Sequence, residues 1–513
     1  VFLLKRSLPS QAHSTSAILC QAERRLLAAA FSYTPSGALI MPLSARRFRG
    51  AIALTLTALA CLSGGLRLAA AQGVAMPQDA VQMTIDFLMR DDADFRAIGL
   101  DRVRYGLKGE AATMQFAGLL SKVAPARQPE LAAALADRGD RAALPAVLAL
   151  LLAAKEPATR AAAINALGSL GGGSEVAVLK TSLAAADPEK TAARRALTML
   201  RGNDVTTQIT EAAKFGEPSL RPTFIDILTD RRAVTALPDL LAAAIDDDPA
   251  TRAAAMRALA RFGGPEQVAG MVQGVLKASP GGERDEATRA LVTVCTQSPG
   301  NDRSAAVFLE QFKAADDAAR ETLLPALGRM GGAGAIAIVD GLVADADAGK
   351  RKLGLAALTK WPDATVSDRL LALLGKAEDP AERELLLGSL IRIAPLPDNK
   401  LNDKQRLELL QKTMTLCQQD PDRRRVLERA NAIRTIEALR FVAPYLDDPN
   451  LSEPACLSVV ELAHHRTLRD ANKDEFMTVL DKVIGTTKNE ELIDRAQRYK
   501  QGQTWERKKP AKS

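Results

Sequence analysis

The segment Pro157-Ala158-Thr159-Arg160-Ala161-Ala162-Ala163 returns unchanged as Pro249-Ala250-Thr251-Arg252-Ala253-Ala254-Ala255. Internal repetition at a short period confines a chain to architectures in which small units stack, because one unit cannot bury its apolar face alone. Degenerate copies carry the phase along the chain. With the proline position as marker, the series runs Ala93, Pro125, Pro157, Pro188, Pro218, Pro249, Glu286, Asp317, Ala348, Pro380, Pro421 and Pro454. The intervals are 30 to 33 residues, stretched to 37 before Glu286 and to 41 before Pro421.

Each copy reads as a helical hairpin. Asp187-Pro188, Asp248-Pro249 and Asp379-Pro380 are N-cap and first-turn pairs: the carboxylate accepts orphan amide hydrogens, and the proline gives up an amide that has no partner. Apolar residues follow three and four apart, as Ala163, Ile164 and Leu167, or Leu386, Leu387 and Leu390, which makes one helical stripe. A Leu stands ten residues after the marker at Leu135, Leu167, Leu228, Leu259, Leu327, Leu358 and Leu390. Glycines such as Gly171 and Gly172, Gly263 and Gly264, or Gly331 and Gly332 are expected to stop the helix in a left-handed cap. A second helix begins near a Leu-Pro step, at Leu144-Pro145 and Leu237-Pro238. Aromatics make up only 4% of the chain, and a core of Ala, Leu, Val and Ile suits closely packed helices. The expected fold is an all-α solenoid of about ten to twelve such hairpins.

The run Ala134-Leu135-Ala136-Asp137-Arg138-Gly139-Asp140 through Leu144-Pro145 resembles the HEAT superfamily, in its short phycobilisome-lyase-type form. The stretch from Glu461 through His464-His465 to Tyr499 and Trp505 resembles the ending of a group of exported bacterial HEAT-repeat proteins. The resemblance covers about residues 77–500. An Arg recurs three residues after the marker at Arg96, Arg160, Arg221, Arg252, Arg289, Arg320, Arg351 and Arg383, and again at Arg424. The resemblance implies that these arginines form an internal ladder, bonded to acidic or carbonyl groups of the adjacent repeat, a role suited to a planar guanidinium. The other reading is a basic binding stripe along one face.

Met41 opens an export-signal pattern. Arg46, Arg47 and Arg49 form a basic region, Ala51 to Leu62 an apolar one, and Ala69-Ala70-Ala71 supply small residues for cleavage before Gln72. The apolar run is short of the roughly 20 residues that span a bilayer. Lipidation at Cys61 is an alternative, although Ala58 stands where such a box wants Leu, and twin-arginine export stays open. Residues 1–40 precede this signal and read as an upstream extension from a wrongly chosen start codon. Residues 1–71 hold eight basic side chains and one acidic one, enough to account for the whole chain's +7, so the remainder is neutral. A neutral exported chain has no electrostatic case for nucleic-acid binding.

The sequence carries no assignable catalytic or metal-binding constellation. Only three His are present, with no His-Glu pairs of the kind a deoxyhypusine-hydroxylase-like di-iron site uses. His464-His465 are neighbours about 100° apart on a helix and do not make a metal face. Cys295, Cys417 and Cys456 read as buried free thiols. The Gly-rich turns at Gly171–Gly173 and Gly331–Gly334 lack the Lys of a phosphate loop. No metal, cofactor or catalytic residue is expected. The expected organisation is a leader at 41–71, a repeat array at 77–394, a soft boundary at 395–400, further repeats at 401–500, and a basic disordered tail at 502–513. The expected function is a periplasmic or secreted, non-catalytic scaffold that binds a protein or peptide along the concave solenoid surface. The alternative is an enzyme of the bilin-lyase type.

Overall fold

The computed structural model describes residues 78–505, apart from 299 and 398–399. The leader with Cys61, the residues before it, and 506–513 of the tail lie outside the described residues. Among the described residues there are 27 α-helices, joined by short 3₁₀ turns, and no strand. They form an all-α solenoid of helical hairpins.

The first helices of successive hairpins stack directly on one another. Pro157–Leu170 packs between Gln128–Arg138 and Glu189–Met199, and Pro249–Phe262 packs between Arg221–Asp230 and Gly282–Thr296. Second helices such as Val176–Ser182, Leu237–Ala243 and Val268–Lys277 pack mainly on the first helix of the following hairpin and touch one another far less. Small side chains allow the close layer. Ala161, Ala163 and Ala166 of one first helix and Ala192, Ala193 and Ala196 of the next are all buried. At Gly168 an added Cβ would stand 2.6 Å from Ala196 Cα, and at Gly328 one would stand 2.2 Å from the Ala357 carbonyl oxygen. The apolar stripe read from the sequence forms the core: Leu135, Leu167, Leu228, Leu259, Leu327, Leu358 and Leu390 are all buried.

Helix boundaries follow the capping chemistry, with three departures. Asp248 accepts from Thr251 N at 2.8 Å and Asp379 from Ala381 N at 3.1 Å. At Asp187-Pro188, however, the helix begins at Glu189 and Pro188 itself is the cap, so Asp187 stands one residue further out and accepts from Thr191 N. The glycines after Leu170 and Phe262 are not left-handed: Gly171 and Gly263 have φ of −83° and −69°. Their Cβ positions lie 2.6 and 2.5 Å from the carbonyl oxygens of Leu167 and Leu259, so space rather than backbone handedness demands glycine there. Finally, the interval stretched to 37 before Glu286 holds no lengthened loop at Ser279-Pro280-Gly281-Gly282. Gly282 is already the first residue of helix Gly282–Thr296, so Glu286 lies in its second turn. The stack continues past Pro395–Pro397, since Pro380–Ile393 packs on both Asp403–Leu416 and Asp420–Ala430.

Candidate functional site

The recurrent Arg is the fourth residue of its first helix in most copies, and its guanidinium turns toward the chain just before that helix or toward the next first helix. Arg252 is the fullest case. Its Nε and Nη2 donate to Glu283 in the next hairpin at 2.7 and 3.0 Å, and its Nη1 donates to the carbonyls of Asp246 and Asp247 at 2.7 and 2.9 Å. The side chain is 6% exposed. The Arg252 bond holds the Glu283 carboxyl below its ordinary range, against the opposing effect of burial. Arg160 bridges Glu189 at 2.9 Å and the Leu151 carbonyl at 2.7 Å, and Arg351 reaches Glu382 at 3.1 Å. Arg221 uses a different acid, Asp246 from the end of its own hairpin, at 3.2 and 2.5 Å. Arg383 joins the carbonyls of Leu374 and Leu416, both at 3.3 Å.

Three members differ. Arg96 donates only to the carbonyls of Arg90 and Asp91 just before its helix. Arg320 takes the carbonyls of Phe312 and Lys313 and its own Asp317, but no group of the following hairpin. Arg289 is not in the row at all. The misplaced marker at Glu286 moves it a turn onward, to an exposed face with no partner among the described residues. In the later copy, Arg423 rather than Arg424 holds the fourth position of its helix and pairs with Asp420 at 3.5 Å.

A second arginine row was not read from the sequence. Arg138, Arg231 and Arg392, at the ends of their first helices, reach back to the carbonyl end of the preceding first helix. Arg138 donates to Val103, Gly106 and Leu107 at 2.8, 3.0 and 2.6 Å. Arg231 donates to Leu197, Thr198 and Leu200 at 2.8, 3.0 and 2.9 Å, and Arg392 to Thr359 and Trp361 at 3.0 and 2.6 Å. A cation is favourable where a helix leaves its last carbonyls unpaired. Burial pushes all three guanidinium pKa values down.

The outward face of the first-helix layer is charged in alternation. Arg194 lies 3.3 Å from Asp230 and 3.9 Å from Asp226 of the next first helix. Asp226 is also 3.7 Å from Arg257 of the helix after that, and Arg329 is 3.5 Å from Asp285. A cleft of about 650 Å³ runs across three of these helices, lined by Asp226, Arg257, Arg261, Glu286, Arg289 and Thr293. Arg261 and Arg289 are both exposed and have no partner among the described residues.

Other reactive side chains are occupied or sealed. Cys295, Cys417 and Cys456 are buried free thiols, pushed up by burial to about 12, 11 and 12. Thiolates are the reactive form, so these are inert at neutral pH. Among the described residues no group of three or more His, Cys, Asp or Glu is placed to hold a metal ion, and no helix is long and apolar enough to cross a membrane. The C-terminal residues converge. His464 Nδ1 is 2.9 Å from Tyr499 Oη, Arg495 pairs with Glu461 at 2.7 Å, and Trp505 lies 4.6 Å under the Arg495 guanidinium. Tyr499 and Arg469 are 1% and 2% exposed, so this cluster is a plug at the end of the stack and not an open site.

A family model described as HEAT repeats matches residues 117–198 and 207–292. No curated protein matches the chain in sequence. Among solved structures, the chain is similar to the karyopherin Kap121p bound to the SUMO protease Ulp1p, at 12% identity and a TM-score of 0.45, over 82% of this chain and 52% of that one. It is also similar to Kap121p bound to Pho4p, at 12% identity and a TM-score of 0.42, over 81% and 53%. A Kap95p structure with RanGDP matches at 12% identity and 0.44, over 83% and 66%. The chain thus spans about half the length of the Kap121p chains it matches.

Proposed function

We propose that this chain is an exported, non-catalytic scaffold that binds an extended segment of a protein partner along its first-helix layer, between the arginine rows that hold the stack together. The observation that carries this reading is the pair Arg261 and Arg289. They stand unpaired among the described residues in an open cleft of about 650 Å³, while Arg194 and Arg257 on the same face are paired with acids of neighbouring helices. A side chain that the fold does not use, in a cleft that crosses three rigid helices, is where a partner finds free donors on a preorganised surface. The neutral charge of residues 72–513 favours a partner of mixed charge over a polyanion. The leader pattern at Met41–Ala71 supports the periplasm or exterior as the place of action. The short phycobilisome-lyase-type repeat form is kept as an architectural likeness, without a lyase activity.

The test is a photo-reactive phenylalanine in place of Thr293, carried by the chain in cells. It should crosslink one protein of the envelope fraction. The combined Arg261→Glu and Arg289→Glu variant should lose that crosslink while keeping the wild-type melting temperature. No crosslink from position 293, or one undiminished in the double variant, defeats the reading.

A further inference from the structure

We infer that the cleft beside Arg320 is a second binding site, for a peptide segment that carries an acidic residue next to a bulky aliphatic one. This extends the scaffold reading to a different part of the stack and rests on separate residues, so either can fail alone.

Four first-turn arginines receive a carboxylate from outside their own helix: Arg160 from Glu189, Arg221 from Asp246, Arg252 from Glu283 and Arg351 from Glu382. Arg320 receives none, and the sequence explains why. Glu382 is the third residue of helix Pro380–Ile393, and the third residue of helix Ala348–Leu358 is Lys350. A cation therefore stands where Arg320 would meet its acid. The other route, used by Arg221 and Asp246, is also closed. Asp345 is the counterpart of Asp246 and, like it, accepts from the amide two residues on (Asp347 N at 2.9 Å, Asp248 N at 3.0 Å), but its other oxygen faces Lys350 Nζ at 3.6 Å instead of an arginine. Arg320 is left with two carbonyls and with Asp317 at 3.4 Å, a carboxylate that is itself 97% exposed.

The space beside it differs accordingly. Where Arg221 is closed by Asp246, the cleft measures about 200 Å³. Beside Arg320 it measures about 620 Å³, within the range of small-ligand and side-chain pockets. Leu324, Ile338, Leu342 and Leu353 line it, and its polar side carries Lys313, Arg320 and Lys350 interspersed with Asp317, Glu321 and Asp345. A guanidinium fork is matched to a carboxylate, and four aliphatic side chains are matched to one apolar group. A Glu or Asp beside a Leu or Ile satisfies both at once, doing from outside what Glu189, Glu283 and Glu382 do from within.

The probe is a fluorescein-labelled peptide of alternating Glu and Leu, titrated with the full chain by fluorescence anisotropy. It should bind saturably, at least about tenfold tighter than the same peptide with Gln for Glu or with Ser for Leu. Lys350→Glu supplies the carboxylate that Glu382 supplies one hairpin on. It should weaken the Glu-Leu peptide at least about tenfold without lowering the melting temperature, and Arg320→Gln should weaken it comparably. Absence of saturable binding, equal affinity for the Gln-Leu peptide, or undiminished binding to folded Lys350→Glu overturns the proposal.

Discussion

Removing the Arg252 guanidinium breaks four hydrogen bonds, two to Glu283 of the next first helix and two to the turn before its own. Glu283 would remain 15% exposed beside it, with Ser279 N as its other partner. We predict that Arg252→Ala costs about 3 kcal/mol, because breaking one side of a largely buried pair leaves the other desolvated. Urea unfolding of the two proteins measures it, and a loss within about 0.5 kcal/mol, the scatter of ordinary surface substitutions, contradicts it. The pH dependence follows with a definite sign. The folded-state pKa of Glu283 is depressed, chiefly by its bond to Arg252. Its contribution is therefore complete above the unfolded value of about 4.3 and is lost as pH falls through the folded value. Wild type should lose stability on this acid limb that Arg252→Ala has already lost, so the gap between them narrows at low pH. The first row was legible in the sequence because the side chain keeps a fixed offset from a proline. Arg289 was assigned to it because Glu286 stood in for a marker that is really Gly282. The second row was illegible for a physical reason. Arg138, Arg231 and Arg392 bond to backbone carbonyls, which every residue carries, so no acidic partner recurs to reveal them.

Two glycines in helices test how the elements meet. Gly328 lies inside helix Asp317–Met330, and a Cβ there would stand 2.2 Å from the Ala357 carbonyl oxygen of the next first helix. Backbone cannot rotate out of the way, so the clash outweighs the gain in helix propensity of about 1 kcal/mol, and Gly328→Ala should destabilise by about 1–3 kcal/mol. Gly341, in helix Ala333–Val343, has nothing within 4 Å of its Cβ position. There propensity acts alone, and Gly341→Ala should stabilise by up to about 1 kcal/mol. Thermal melting of both variants reads the pair of opposite signs, and equal shifts would mean that the first helices are not in close contact. The helices themselves were readable from 3.6-residue periodicity and from caps such as Asp248 and Asp379. Their closeness was not, since an Ala-rich helix reads the same whether its neighbour is near or far.

A stack in which each hairpin touches only its neighbours transmits a local fault only locally. That separates the two roles assigned to arginine, one between hairpins and one on the open face. The cleft at Arg261 and Arg289 was beyond the reach of the sequence for the same reason that any surface is: three hairpins contribute to it, and only the stacking brings them together. Hydrogen exchange of the full chain, resolved by peptide, measures the distinction directly. Arg252→Ala should speed exchange in helices Arg221–Asp230, Pro249–Phe262 and Gly282–Thr296 and leave distant hairpins at wild-type rates. Arg289→Ala, at the eighth residue of its helix, should change exchange nowhere. Faster exchange around position 289 in Arg289→Ala, or an Arg252→Ala protein indistinguishable from wild type in all three helices, would contradict the separation of the two roles.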